Sequence, residues 1–125
     1  MKFLCLVFVD ESKLEALTPR ESQDLDDVSL AYDGTLRRQG QYLAAQALES
    51  VRSAVVVRLQ DGKVKVTDGP YAEAREQVGG FILIEARDRE EAIEVAAQIP
   101  AIQLGGIEIR PVKELVASSS LVATP

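Results

Sequence analysis

Histidine is absent from all 125 residues. That removes the commonest general base, the commonest metal ligand and the Ser-His or Cys-His arrangements that activate a nucleophile. Cysteine is nearly absent too. The single Cys5 has no mate for an internal disulfide, and it sits inside an apolar run, where it reads as a small buried hydrophobe. Positive charge is in deficit: 14 Lys and Arg face 20 Asp and Glu, a net charge of −6. A phosphate backbone demands a basic surface, so no nucleic-acid partner is expected. No apolar run approaches the ~20 residues of a membrane helix, so no membrane partner is expected either. The short apolar start before Asp10-Glu11 has no small-residue cleavage site after it and does not read as a signal peptide. A cytoplasmic location is the expectation.

Metal and cofactor signals are equally thin. Asp24, Asp26 and Asp27 form a carboxylate run, but a calcium loop needs glycine at a defined turn and a later bidentate glutamate, and neither follows. Gly79-Gly80 and Gly105-Gly106 read as preceding strands, whereas phosphate cradles open helices. No metal and no cofactor are expected.

What is present suits one soluble domain. Apolar residues make up 46% and charged residues 27% of the chain. Phe3 to Val9 is a continuous apolar run of strand length, apolar on both faces, which predicts a central strand. Asp10 to Leu17 reads as irregular. Thr18-Pro19-Arg20-Glu21 is a helix start, with a capping threonine, proline at the first helical position and glutamate three residues after the cap. Leu25, Val28, Tyr32 and Leu36 recur at helical spacing and predict one inward face, with Asp24, Asp26, Asp27 and Asp33 mostly elsewhere. Gly34 weakens this helix and invites a bend; Gly40 ends it.

Tyr42 to Leu48 predicts a second, alanine-rich strand. Ala54 to Leu59 and Lys63 to Thr67 predict a hairpin across Asp61-Gly62, since both turn residues tolerate φ > 0. Phe81 to Ala86 predicts another strand. Asp88-Arg89-Glu90-Glu91 starts a second helix, with Ala92, Ile93, Ala96 and Ile99 facing inward and Pro100 stopping it. Ile107 to Arg110 is the last strand, ended by Pro111. Residues 1–115 then form the domain, and residues 116–125 a Ser-rich tail. The order β-α-β-(β-hairpin)-α-β predicts an α+β fold, with two helices on one face of an antiparallel sheet of about five strands. The uncovered face would carry residues of Phe3–Val9 and Phe81–Ile84 into water, and an apolar patch of that size marks an interface. A homodimer joined through its sheets is the expectation.

The stretch Asp68-Gly69-Pro70-Tyr71 with Glu73, Arg75-Glu76 and Gly79-Gly80 resembles the DGPF branch of the YCII-related family, with Tyr71 in place of the usual Phe. The resemblance extends to the apolar first strand, to Glu90-Glu91-Ala92-Ile93 and to the ending Ile107-Glu108-Ile109-Arg110-Pro111-Val112. It implies a ferredoxin-like βαβ(ββ)αβ subunit that dimerises into an α/β barrel. The YCII-like branch also carries a His-Asp pair that looks catalytic. With no histidine here, that mechanism does not carry over.

Six residues stand out as site candidates. Asp68 has a complete structural explanation as an Asx-type turn residue; its functional reading is a general base or ligand contact. Glu73 and Glu76 would line a cleft beside it or simply be solvated. Tyr42 and Tyr71 offer phenol groups and stacking faces, or packing. Arg110 would hold a substrate carboxylate or pair with an acid on a neighbouring strand. The expected function is binding of a small organic molecule between sheet and helices. The alternatives are an enzyme of the lyase, isomerase or dehydrohalogenase kind using Asp68 with Tyr71 or Arg110, or an accessory interaction protein without a ligand.

Overall fold

The computed structural model describes residues 1–119. The tail expected over 116–125 therefore lies outside the described residues from position 120 onward.

The strands are β1 (Lys2–Asp10), β2 (Tyr42–Ala47), β3 (Val55–Gln60), β4 (Lys63–Asp68), β5 (Glu76–Glu85) and β6 (Gly105–Pro111). The helices are α1 (Glu11–Glu15), α2 (Pro19–Arg38) and α3 (Arg89–Ala97), and a 3-10 turn spans Pro100–Leu104. Four strands pair antiparallel in the order β2-β5-β1-β6. This α+β arrangement puts β1 in the interior of the sheet, as its two-sided apolar run requires.

Alternation sorts β1 between two faces. Phe3, Cys5, Val7 and Val9 are buried towards the helices, where they meet Leu36, Ile82, Ile84, Ala92, Val95 and Ile99 in one core. Leu4, Leu6 and Phe8 turn to the open face and are half-buried, as are Phe81 and Leu83 of β5.

Several expectations are corrected. The hairpin is not part of the main sheet: β3 and β4 pair only with each other, so the sheet has four strands rather than five. Asp61 (φ 52°) and Gly62 (φ 76°) make its turn. The irregular stretch after Val9 contains α1, because the Asp10 side chain accepts from the Ser12 N–H and caps it. α2 starts at the expected capping box, with Thr18 and Glu21 bonding reciprocally, and then runs through Gly34 without a break. β5 starts at Glu76, not Phe81, and so includes Gly79 and Gly80. Gly105 and Gly106 likewise open β6. Two of these glycines serve close backbone approach: a Cβ at Gly80 would sit 2.8 Å from the Gln46 carbonyl oxygen, and one at Gly105 would overlap the Phe8 carbonyl.

Two inward faces also differ. Val28 is 51% exposed, and Ser29 takes its place on the sheet side of α2. Spacings of three and four both lie on one helix face, so apolarity alone favoured the wrong neighbour. In α3, Ile93 is exposed and Val95 is buried instead.

Candidate functional site

Three concavities stand out among the described residues. The largest, about 720 Å³, lies between the C-terminal part of α2 and α3. Most of its charge is already matched, although Glu94 makes no ion pair among the described residues: the Met1 ammonium meets Glu85 at 2.7 Å, and Arg87 meets Glu91 at 2.9 Å. The smallest, about 370 Å³, sits under the Asp68–Arg75 turn. There Asp10 is 5% exposed, takes hydrogen bonds from the Ser12 hydroxyl and N–H, and receives Arg75 Nε at 3.1 Å. Those bonds hold its carboxyl below the usual range, the Ser12 hydroxyl foremost. Glu11 accepts from the Ser50 hydroxyl at 2.7 Å and the Val51 N–H at 2.9 Å, which lowers its carboxyl in turn. Every buried carboxylate here is engaged, so this corner fastens the turn to the end of β1.

The third concavity differs. It holds about 470 Å³ between α2, the helix-facing side of β2 and β5, and the turn beginning at Pro100. It exists because the inward positions of this part of α2 are small or polar, Ser29 and Asp33, opposite Ala45 and Gly80. Val7, Ile82 and Ile99 supply apolar walls. Asp33 is half-buried, and no described residue donates a hydrogen bond to it. Burial pushes its carboxyl up from the ordinary value, against a smaller opposing pull from Arg37 one turn on. The neighbouring Tyr32 phenol is spoken for: it donates to the Val95 carbonyl at 2.7 Å, and burial raises its pKa. Cys5 lies behind this wall, fully buried, and its thiol is pushed up to about 11 by desolvation, which keeps it protonated and inert.

Comparison with known proteins fixes the lineage. The YCII-related domain matches residues 1–116. The chain belongs to the YCII-related family. An uncharacterised protein of Rhizobium meliloti (strain 1021) is 30% identical over 117 residues, covering 89% of this chain and 91% of that one. Among solved structures, 5-chloro-2-hydroxyhydroquinone dehydrochlorinase (TftG) from Burkholderia phenoliruptrix AC1100, in complex with 2,5-dihydroxybenzoquinone, superposes with a TM-score of 0.55. It is 16% identical and the match covers 90% of this chain and 94% of that one, so the fold is shared.

In this YCII-related protein the six expected site residues do not converge. Asp68 ends β4, opposite Val55, with an exposed side chain outside all three concavities. The backbone explains this: the Gly69 N–H, at φ 104°, bonds the Ala54 carbonyl and closes the hairpin base, leaving the carboxylate outside. Tyr71 is 72% exposed with Arg58 over its ring at 4.3 Å. Glu73 borders the small corner and is exposed; Glu76 opens β5 opposite Asp10. Tyr42 lies on edge strand β2 under Arg37, 4.2 Å from the ring centroid. Arg110 is on the open sheet face and bonds Glu108 at 2.7 Å, an acid of its own strand rather than a neighbouring one. Asp33 and Ser29 were missed. The available signal was a polar pair at an i, i+4 step continuing the Leu25–Leu36 stripe.

Proposed function

We propose that this YCII-related protein binds a small cyclic organic molecule in the cleft between α2 and the sheet, oriented by Asp33. One observation carries the reading: a half-buried carboxylate with no described hydrogen-bond donor stands on the wall of a largely apolar cavity. Such a group is costly to leave unmet, and a guest hydroxyl satisfies it. A volume of about 470 Å³ lies within the usual range for small-molecule sites and admits a substituted ring. No cofactor enters this reading. Its setting is a cytoplasmic homodimer joined through the open sheet face, supported by the half-buried Leu4, Leu6, Phe8, Phe81 and Leu83.

The direct test uses 2,5-dihydroxybenzoquinone and hydroquinone as probes in thermal-shift and calorimetric titrations. Wild type at 100 times its Kd gains about 2.7 kcal/mol of stability. Asp33→Asn keeps its fold and loses affinity. A wild type without a saturable shift, or an Asp33→Asn variant that binds equally well, rejects the assignment.

A second reading is an enzyme of the lyase, isomerase or dehydrohalogenase kind. The raised Asp33 carboxyl supports it, since a carboxylate lifted towards neutral pH is a better proton acceptor than a solvated one. The shared fold with a dehydrochlorinase makes halogenated hydroquinones sensible substrates to try. Asp33 would take the proton as the leaving group departs, the role first considered for Asp68 with Tyr71 or Arg110. Chloride release that survives Asp33→Asn unchanged excludes this role.

A further inference from the structure

The β3–β4 hairpin is amphipathic in an unusual sense. Register places Val57 opposite Val66 and Leu59 opposite Val64, with Val55 on the same side. All five side chains are between 59% and 75% exposed. The reverse side is mostly polar, with Arg58 opposite Lys65, Gln60 opposite Lys63 and a half-buried Val56 opposite Thr67. Arg58 on that polar side stacks on Tyr71, so the hairpin turns its charged face back to its own chain and its apolar face away from it. A two-stranded hairpin alone is marginally stable in water, and β3 and β4 pair with no other strand.

We propose that this hairpin is a dimerisation arm whose valine–leucine face seats on a second copy of the chain. The proposal rests on the homodimer reading above and adds a second contact to it. Area favours a second copy as occupant. The five side chains present on the order of 500 Å² of apolar surface, the size at which a patch marks an interaction site. Two such contacts related by a two-fold axis, counted with the surfaces that receive them, reach the roughly 1,600 Å² of a standard stable interface. A two-fold pair also satisfies both arms with one contact type and leaves no patch uncovered.

The test is sedimentation equilibrium on the full chain across a wide concentration range. Wild type is expected as a dimer. The pair Val57→Asp and Val66→Asp together should raise the dimer dissociation constant about a hundredfold or more, because each buries an unpaired charge. Lys63→Gln with Lys65→Gln, on the polar side, should leave it unchanged. Circular dichroism shows whether the variants stay folded. Isotope-mixed samples should give intermolecular methyl contacts from Val57 and Val66. A wild type that is monomeric at every concentration overturns both the arm and the homodimer. A dimer indifferent to the apolar-face pair, without intermolecular contacts from the arm, overturns the arm alone.

Discussion

Two inward positions of α2, its middle and its last turn, meet the sheet differently. At the C-terminal end Leu36 is 1% exposed and closes a core with Phe3, Cys5 and Ile84, while Arg37 covers Tyr42 on the sheet edge. Seven and three residues earlier, Ser29 and Asp33 face Ala45 and Gly80, and the interface is left unfilled. One helix thus seals the sheet at Leu36 and leaves it open between Ser29 and Asp33. The contrast teaches that a cavity in a small domain needs no special loop. It needs only short side chains at inward positions that the helical repeat would otherwise fill with Leu or Val.

Leu36→Ala is the sharpest probe of the sealed end. It should cost about 2–5 kcal/mol in urea unfolding, the range for a large aliphatic side chain lost from a packed core. A much smaller loss would mean the two positions are equally loose. Ala45→Leu is the next strongest, acting on the open cleft. Filling the cleft should abolish probe binding while changing stability by less than about 1.5 kcal/mol, because the added methyl groups enter empty space. Calorimetric titration of the variant checks it.

Smaller effects concern charge. Burial raises the Asp33 carboxyl, so the native state holds more protons than the unfolded chain between the two pKa values. Stability therefore falls as pH rises through that window, which starts at the ordinary carboxylate range and extends above it. Asp33→Asn should remove this slope and raise the melting temperature at pH 7. Asp10 has the opposite sign. Its lowered carboxyl stabilises the fold above the ordinary range, and the benefit is lost as pH falls through the folded value. Asp10→Asn should flatten the acid limb and lower the melting temperature at pH 7. Matching pH profiles for the two variants would erase the distinction between an engaged carboxylate and a free one. Ser29→Ala is the mildest change, within about 0.5 kcal/mol, since the hydroxyl borders open space.

Much of the fold was legible because its signals are local. Thr18 with Glu21, Asp61 with Gly62, and Asp88 at the start of α3 each act through atoms a few residues away. Signals that depend on a distant partner failed. Asp10 reads as the start of an irregular stretch until Ser12 and Arg75 are seen around it. Gly79 and Gly80 read as a break, whereas they let β5 continue past Val9 and Gln46 at close range. The charged stretch after Asp68 drew functional interest because turn residues and carboxylates cluster there. In space Arg75 and Gln77 tie it down, Gln77 bonding the Ala72 and Ala74 carbonyls, while Asp68 remains outside.

By itself the sequence determined the order of the six strands with α2 and α3, the antiparallel α+β class and the membership of residues 1–116 in the YCII-related family. Periodicity and caps are properties of neighbours along the chain. Only the tertiary structure decided that Ser29 rather than Val28 faces the sheet, that the hairpin stands apart from it, and that Asp33 borders a largely apolar cavity. Those outcomes depend on helix rotation and on the volume left between elements, which no run of neighbouring residues specifies.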